Sequence, residues 1–301
     1  MLRNLPRTIF AASSCLAIFV TPAILPLEIA TAQTELVAAQ ETASLLGGGR
    51  AQGAVIWSHG RSLQTECARA PTPDYVEAFR AAAWDTFRLN RPRSADTLID
   101  SGAALANAAD ALRQRGYRRV VLAGQSFGAF LSLIAAGRSD AVDVVIGIAP
   151  AAYGSLYSNP AGYGLNAARL YDLLGAVPRA RVALFFFEDD AFDPGGRAPV
   201  ADQILAAHGL AHLVIDRPAG LPTHWAGAGP AFAARYARCL VAFASEKMAG
   251  ITLACPDSTA SAQAPAASGP TRPTSDLGIP RSVVDLQVGR WIDVGGASRR
   301  R

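Results

Sequence analysis

The sequence predicts an α/β fold in which a mostly parallel β-sheet is flanked by helices. Between residues 53 and 239, short apolar runs rich in β-branched residues alternate with longer segments of helical period, which is typical of parallel strands joined by crossover helices. Several runs are apolar without alternation, as expected for strands covered on both faces. Half of the residues are hydrophobic and 17% are charged, so most of the 301-residue chain can bury one globular core.

The elements follow from these periodicities in chain order. Strands are predicted at residues 54–57, 86–89, 119–123, 142–148, 182–187 and 213–216. Helices are predicted at residues 74–82, 95–115, 127–136, 197–208 and 231–248, where apolar residues recur three and four positions apart. The stretch 153–178 is rich in Gly, Tyr and Asn and matches neither a strand nor a long helix. We expect a short cap-like insertion there, after a core strand, that shapes a pocket.

The amino terminus has the order of a secretory signal peptide. Two arginines precede an apolar stretch over residues 9–20, and the small residues at 30–32 suit a signal peptidase that cleaves before Gln33. We therefore expect residues 1–32 to be removed and the mature chain to be exported, periplasmic or secreted, with no stable membrane insertion after cleavage. The alternative is an uncleaved anchor, since the stretch could span a bilayer, although two prolines interrupt it.

Export leaves three cysteines, an odd number for an oxidising compartment, so one thiol is expected to stay free. One hypothesis joins Cys239 to Cys255, which would tie the C-terminal segment to the last helix. The alternative, in which Cys67 and these two are small buried residues, stays open. No Cys-x-x-Cys pair or Cys/His cluster has metal-ligand spacing, so we expect no metal and no cofactor.

Beyond the predicted core, residues 256–275 turn to Pro, Ser, Thr and Ala, a composition that cannot bury enough surface to offset ordering. We expect a disordered linker there, followed by a short apolar segment at 283–291. The predicted division is therefore a signal peptide at 1–32, one domain at 33–255 and a tail at 256–301. The net charge of +4 comes from scattered arginines, so we expect no nucleic-acid partner.

The strongest motif is Gly124-Gln125-Ser126-Phe127-Gly128, between a predicted strand and a predicted helix. This context distinguishes the nucleophile elbow of α/β-hydrolases from a chance Gly-x-Ser-x-Gly match. Glycines at 124 and 128 let strand and helix approach each other around a sharp turn. We predict that Ser126 is a nucleophile and that the amide of Phe127, at a helix N-terminus, meets an oxyanion. A Gly-rich turn with an incidental serine is the structural alternative.

A serine hydroxyl needs a base to accept its proton, and three histidines follow Ser126 in the chain. His208 falls at the end of a predicted helix and His212 at the start of a strand, both poor positions for a base at the carboxyl edge of the sheet. His224 lies in a turn-rich loop just after a strand. We predict it as the base, with a satisfied surface histidine as the alternative.

The acid must follow a later strand, and four carboxylates follow the strand at 182–187. Asp190 stands three residues past the strand end with a proline four positions further on, so we rank it above Asp189, Asp193 and Glu188, in that order. The other carboxylates are expected to be solvated or to cap a helix, because Asp193 precedes a proline that suits a first helical position.

The segment Trp57-Ser58-His59-Gly60-Arg61 follows the first predicted strand, where such enzymes supply a second oxyanion donor. We expect the backbone N–H of Arg61, or alternatively of Gly60, to join that of Phe127. His59 precedes the nucleophile, which breaks the usual chain order, so a structural role is expected for it.

Three arginines, Arg61, Arg88 and Arg91, lie at predicted strand ends. They could bind a substrate carboxylate together, but ordinary exposed arginines are the expected outcome.

Taken together, WSHGR, GQSFG, EDDAFDP and His224 make residues 50–250 resemble the α/β-hydrolase superfamily, particularly its dienelactone-hydrolase-like and serine-esterase branches. The resemblance implies an acyl-enzyme mechanism through Ser126, Asp190 and His224. Dienelactone hydrolases typically carry cysteine at the elbow, so serine favours cleavage of a small-molecule ester. A serine peptidase or acyltransferase could use the same triad, whereas a non-catalytic binding protein would be expected to have lost it.

Overall fold

The computed structural model describes residues 34–40, 44–68, 70–245 and 255–257. The chain divides into two units, Met1–Gln263 and Ala264–Arg301, and all described residues belong to the first. The predicted signal peptide, almost all of the predicted linker and the apolar segment at 283–291 lie outside the described residues.

The described residues form one seven-stranded sheet with the order β1-β3-β2-β4-β5-β6-β7. Every neighbouring pair is parallel except the antiparallel pair of β1 and β3. The predicted fold class, a mostly parallel sheet flanked by helices, is therefore confirmed. The strands are β1 (Glu35–Ala38), β2 (Ala54–Ser58), β3 (Asp85–Asn90), β4 (Val120–Gln125), β5 (Val144–Ile148), β6 (Arg181–Phe186) and β7 (His212–Asp216).

Helices cover both faces of this sheet. They are α1 (Asp74–Ala81), α2 (Leu98–Gln114), α3 (Phe127–Ala136), α4 (Pro160–Tyr163), α5 (Leu165–Ala176), α6 (Arg197–Ala207) and α7 (Pro230–Ser245). Side chains of α2, α3, α5 and α6 belong to one hydrophobic cluster, and those of α1 and α7 to the other. Residues of β2 alternate between the clusters, with Ile56 in the first and Val55 and Trp57 in the second. Burial on both faces explains the uninterrupted apolar runs of the inner strands.

Two parts of the sequence-based prediction were wrong. The stretch 153–178, expected to lack a long helix, contains the twelve-residue helix α5. Its buried residues Asn166, Leu170 and Leu174 recur every fourth position, but the glycines and tyrosines just before it obscured that period. The edge strand β1 was not predicted, because its four residues are mostly half-buried and show no apolar run.

The hypothesis that Cys239 and Cys255 pair is confirmed: they form a disulfide with their Cα atoms 5.5 Å apart, and Cys67 has a free thiol. The bridge links α7 to the last described segment. That segment is also held by Tyr236, whose hydroxyl donates to Asp257 over 2.7 Å. Within the described ranges, no helix combines the length and apolarity needed to cross a membrane.

Because the inner strands are parallel, their carboxyl ends meet at one edge of the sheet, where ligands bind in open α/β folds. The segments that leave this edge carry the candidate residues: 59–61 after β2, Ser126 after β4, 187–193 after β6 and 217–224 after β7.

Candidate active site

Ser126 lies on the sharp turn between β4 and α3, with φ 56° and ψ −116°. A positive φ is unusual for a residue with a side chain and costs of order 1–3 kcal/mol, so the surrounding structure must hold it. Its N–H donates to the carbonyl of Ile148 at 2.9 Å, and its own carbonyl accepts from Ala129 at 3.1 Å. Ser126 is buried, and the one hydrogen bond of its hydroxyl to described residues is long, 3.4 Å, to the carbonyl of Ala151.

The two glycines that flank the serine permit this turn. A Cβ atom on Gly124 would overlap the backbone of Gly128, and one on Gly128 would overlap the carbonyl of Ser58 at the end of β2. The backbones of β4, α3 and β2 are thus in direct contact at these glycines, with no side chain between them. Only glycine fits at these positions, as the sequence argument expected.

Asp190 and His224, remote in sequence, lie in direct contact. Nδ1 of His224 lies 2.9 Å from each carboxylate oxygen of Asp190, and both side chains are almost wholly buried. Asp190 also accepts from the N–H of Phe192 at 2.8 Å, which fixes the carboxylate in its loop. A proton on Nδ1, donated to the carboxylate, leaves Nε2 as the basic nitrogen of the neutral ring.

The loop that carries His224 is hydrogen-bonded both to the loop that carries Asp190, residues 187–193, and to the turn that carries Ser126. The N–H of Thr223 donates to the carbonyl of Glu188 at 2.7 Å. The amide of Gln125, the residue before Ser126, donates to the carbonyl of His224 at 3.1 Å. Nε2 of His224 is buried and has no hydrogen-bond partner in the described part of the chain.

The imidazole of His224 also has an aromatic neighbour. The ring of Phe192 lies against it, with the ring centroids 4.3 Å apart. Sequence reasoning missed both Gln125 and Phe192. The signal for them was their position, inside the serine motif and two residues after the acid.

The other carboxylates and histidines have different surroundings. Glu188 and Asp189 are exposed. Asp193 accepts from the guanidinium of the buried Arg197 at 2.7 Å and from the N–H of Gly195 at 2.8 Å. The interpretation of Asp193 as a helix cap is wrong, because α6 begins at Arg197 with a glycine as its capping residue.

Neither of the other downstream histidines lies at the carboxyl edge of the sheet. His212 is the first residue of β7, and its Nε2 lies 3.1 Å from Asp202. His208 directly follows α6.

The candidate oxyanion donors lie on two elements that meet at Ser126. Phe127 is the first residue of α3, and the first N–H groups of a helix have no acceptor within it. Across the site, a Cβ atom on Gly60 would lie 3.4 Å from Cβ and 3.9 Å from Oγ of Ser126, so the β2 loop, residues 59–61, passes directly beside Ser126. The guanidinium of Arg61 lies over the ring of Phe127, 5.5 Å from its centroid.

His59 is the first residue of that loop, and Arg91 lies behind it, with Nη2 donating to the His59 carbonyl. His59 is buried; burial and, next, the nearby charge of Arg91 lower the pKa of its imidazole to about 4, so it is neutral at pH 7. The expectation that Arg91 is an exposed arginine was wrong, because its side chain is fully buried and forms an ion pair with Asp96. Arg61 and Arg88 are half-buried.

A buried asparagine, Asn166, links the segment after β5 to the loop that carries Asp190. It was not among the residues predicted from the sequence. The side-chain oxygen of Asn166 accepts from the N–H groups of Ala152 and Tyr153, both at 2.9 Å. Its amide group donates to the carbonyls of Gly154, at 2.8 Å, and Phe192, at 3.0 Å. Asn166 therefore has all its hydrogen-bonding capacity satisfied and joins the insertion to the segment that holds Asp190.

The topology, together with a serine on a strained strand-to-helix turn, defines the α/β-hydrolase fold. No family model and no curated protein matches the sequence. Among solved structures, the monoacylglycerol lipase of Paleococcus ferrophilus aligns with a TM-score of 0.53 and 13% identity, over 71% of this chain and 99% of that chain.

Two further structural matches have TM-scores below 0.5. An acetyl ester-xyloside bifunctional hydrolase from Caldicellulosiruptor lactoaceticus has a TM-score of 0.49 and 15% identity, over 70% of this chain and 86% of that chain. A puromycin-hydrolyzing peptidase from Mycobacterium tuberculosis has a TM-score of 0.47 and 15% identity, over 66% of this chain. The chain spans only 36% of the length of that peptidase.

Proposed function

We propose that the protein is a serine hydrolase that cleaves a carboxylic ester through an acyl-enzyme intermediate. The observation that carries the proposal is the state of His224. Nδ1 is bonded to the buried carboxylate of Asp190, Nε2 has no partner among the described residues, and the loop is held to the residue that precedes Ser126. A base that is oriented on one side and unoccupied on the other is what activation of a serine requires.

In the first half of the proposed reaction, Oγ of Ser126 attacks the ester carbonyl carbon while Nε2 of His224 takes the hydroxyl proton. The carbonyl electron pair moves onto oxygen, and the N–H of Phe127 and that of Arg61, or of Gly60, donate to the resulting oxyanion. The negative charge of Asp190 stabilises the imidazolium. When the tetrahedral intermediate collapses, the ester C–O bond breaks and the departing alcohol receives the proton from Nε2.

In the second half, a water molecule attacks the acyl-serine carbonyl while His224 takes one of its protons. The same amides donate to the second oxyanion. Its collapse returns the proton to Oγ of Ser126 and releases the carboxylic acid, which restores the starting protonation states.

The same groups could cleave an amide or transfer the acyl group to another acceptor, so a serine peptidase or acyltransferase is the competing reaction. A screen of nitrophenyl esters against aminoacyl nitroanilides separates esterase from peptidase, and added alcohols or amines detect transfer. Turnover of amides above that of matched esters would overturn the ester assignment while leaving the nucleophile in place.

We further propose that the chain works outside the cytoplasm. The Cys239–Cys255 disulfide supports this, because such bonds persist in oxidising compartments. Expression of the full chain with detection of the protein outside the cytoplasm, and sequencing of its amino terminus, tests export and cleavage before Gln33 together.

Covalent labelling with a fluorophosphonate tests the nucleophile. We expect the protein to be labelled on Ser126 and Ser126→Ala to lose both label and ester hydrolysis. Ser132→Ala is the matched control, because that serine is buried in α3, the helix that follows Ser126, but donates to the carbonyl of Gly128 at 2.9 Å. An unlabelled wild type, or a label kept by Ser126→Ala, would contradict the proposal.

A further inference from the structure

A buried ion pair lies behind the loop that supplies the second oxyanion donor. Nη1 of Arg91, just after β3, lies 2.6 and 2.7 Å from the two carboxylate oxygens of Asp96. Asp96 also accepts from the hydroxyl of Ser101 in α2 at 2.8 Å. The side chains of Arg91 and Asp96 are 0% and 2% exposed, so the guanidinium is held rigidly by groups outside the catalytic loops.

The other amino group of Arg91 is directed at the loop. Nη2 donates to the backbone carbonyl of His59 and lies 3.0 Å from the ring nitrogen Nδ1 of the same residue. That Nδ1 in turn lies 2.6 Å from the carbonyl oxygen of Gly60. We assign the ring proton to Nδ1, because the carbonyl oxygen at 2.6 Å can only accept; Nη2 of Arg91, which is itself a donor, then bonds to the His59 carbonyl and not to the ring.

Two successive carbonyls of the loop are therefore held, that of His59 by Arg91 and that of Gly60 by the His59 ring. In a planar trans peptide the C=O and the following N–H point in opposite directions. Holding the carbonyl of His59 fixes the direction of the Gly60 N–H, and holding the carbonyl of Gly60 fixes the direction of the Arg61 N–H. These are the two candidate donor amides of the β2 loop.

The arrangement lies next to the nucleophile. Gly60 approaches Oγ of Ser126 as described above, and the guanidinium of Arg91 lies 5.5 Å from the ring centroid of Phe127, whose amide is the other candidate donor. No hydrogen bond in this set requires Arg91 or His59 to touch a substrate.

We propose that Arg91 and His59 are positioning residues that hold the β2 loop so that its amide donates to the oxyanion of the reaction. The inference rests on the proposed serine-hydrolase function. It assigns to Arg91 a role other than substrate binding, since its side chain is fully buried and both of its terminal amino groups are already bonded, Nη1 to Asp96 and Nη2 to the loop.

The first test compares wild type with Arg91→Met/Asp96→Asn, a double variant that leaves no buried charge unpaired. Removing one oxyanion donor lowers kcat about 10²–10³-fold, and we expect a misdirected donor to lower it by roughly 10–100-fold with little change in KM. Affinity for a trifluoromethyl ketone, which forms an oxyanion on the serine, should fall by a similar factor.

The matched control is Arg113→Met/Asp143→Asn. Nη2 of Arg113 lies 2.5 Å from Asp143, and the same carboxylate accepts from the N–H of Val120, at the opposite end of β4 from Ser126. This double variant also removes an arginine ion pair that holds backbone. It should leave kcat, KM and ketone affinity within about twofold of wild type, because it does not contact the loop.

A second pair of variants tests the loop without removing Arg91. In His59→Asn, the side-chain amide can replace Nδ1 as donor to Gly60, whereas His59→Leu offers no donor. We expect His59→Asn to retain most of the ketone affinity and kcat, and His59→Leu to lose them. Near-ultraviolet circular dichroism verifies that each variant is folded.

The two proposals fail differently. If wild type is neither labelled by the fluorophosphonate nor active on esters, both are overturned. If wild type is active and both the Arg91 double variant and His59→Leu keep its kcat and ketone affinity, only the positioning role is overturned. A fall in kcat matched by an equal rise in KM, with unchanged ketone affinity, would also overturn it.

Discussion

Gly128, in the first turn of α3, packs directly against the carbonyl oxygen of Ser58 at the end of β2, leaving no space for a methyl group. This contact fixes the distance between the turn that carries Ser126 and the β2 loop, which begins at His59. The position of Ser126 relative to that loop therefore depends on a backbone contact, which a side-chain rotation cannot adjust.

Gly128→Ala should consequently lower the free energy of unfolding by about 3 kcal/mol or more, because the surrounding atoms are backbone and cannot move aside easily. Urea unfolding measures this. Gly175→Ala is the matched control: Gly175 lies exposed within α5 with no atom near its absent Cβ, so alanine should stabilise by roughly 0.5–1 kcal/mol. Equal effects of the two substitutions would refute the packing argument.

Asp190→Asn should lower kcat about 10³–10⁴-fold while the protein remains folded, because an amide cannot hold the imidazole with a proton on Nδ1 or stabilise its charged form. Steady-state ester hydrolysis gives the measurement. Asp189→Asn serves as the control, since that carboxylate is exposed and its backbone, with φ 55°, suits asparagine. If Asp189→Asn were the inactive variant, the assignment of the acid would be wrong.

Cys255→Ser should lower the free energy of unfolding by roughly 3 kcal/mol, the effect expected when a disulfide closing a loop of about 15 residues is lost. Reducing wild type with dithiothreitol should give the same destabilisation. Cys67→Ser leaves the bond intact and should change stability by no more than about 0.5 kcal/mol. A reductant-insensitive wild type would show that the bond does not form in solution.

The stability of the protein should fall on acidification below pH 6.5. The pKa of His59 is lowered from 6.5 to about 4, first by burial and then by Arg91, so between these values the unfolded chain binds a proton that the folded chain does not. Unfolding free energy should therefore drop as the pH falls through this window, by roughly 3 kcal/mol from this residue. Denaturant unfolding at several pH values should give a shallower dependence for His59→Asn. Identical slopes in the two proteins would rule out His59 as the source.

Sequence reasoning predicted most of the sheet because its strands are buried on both faces and carry long apolar runs. It predicted the contact of Asp190 with His224 from chain order, from the position of each residue just after a strand and from the proline four positions after Asp190. The edge strand β1 was not predicted. It is short and half-buried, so its identity as a strand depends on pairing with β3, which the local sequence pattern does not reveal. In α5 the period was present, but Gly- and Tyr-rich neighbours outweighed it.

Polar residues that are buried through distant partners were the hardest to predict. Arg91 is five positions from Asp96, a spacing that occurs often between exposed residues, and only the fold shows that the pair is enclosed. Asp193 precedes a proline, which suggested a cap, yet its carboxylate is used by Arg197 four residues later. Whether a charged group is buried depends on tertiary packing, which the spacing of residues in the sequence does not show.

The hydrogen bonds from Asn166 to the backbone on either side of the site have a consequence for attempts to change substrate preference. Two hydrogen bonds join the segment that follows β5 to the loop that carries Asp190: Asn166 donates to the carbonyl of Phe192, and Tyr163 donates to the carbonyl of Asp193. The positions of the two segments are therefore coupled. Replacing the segment after β5 with one from another hydrolase would therefore require replacing the loop that carries Asp190 as well. If only the first segment were replaced, these hydrogen bonds would be lost and the carboxylate of Asp190 would be displaced.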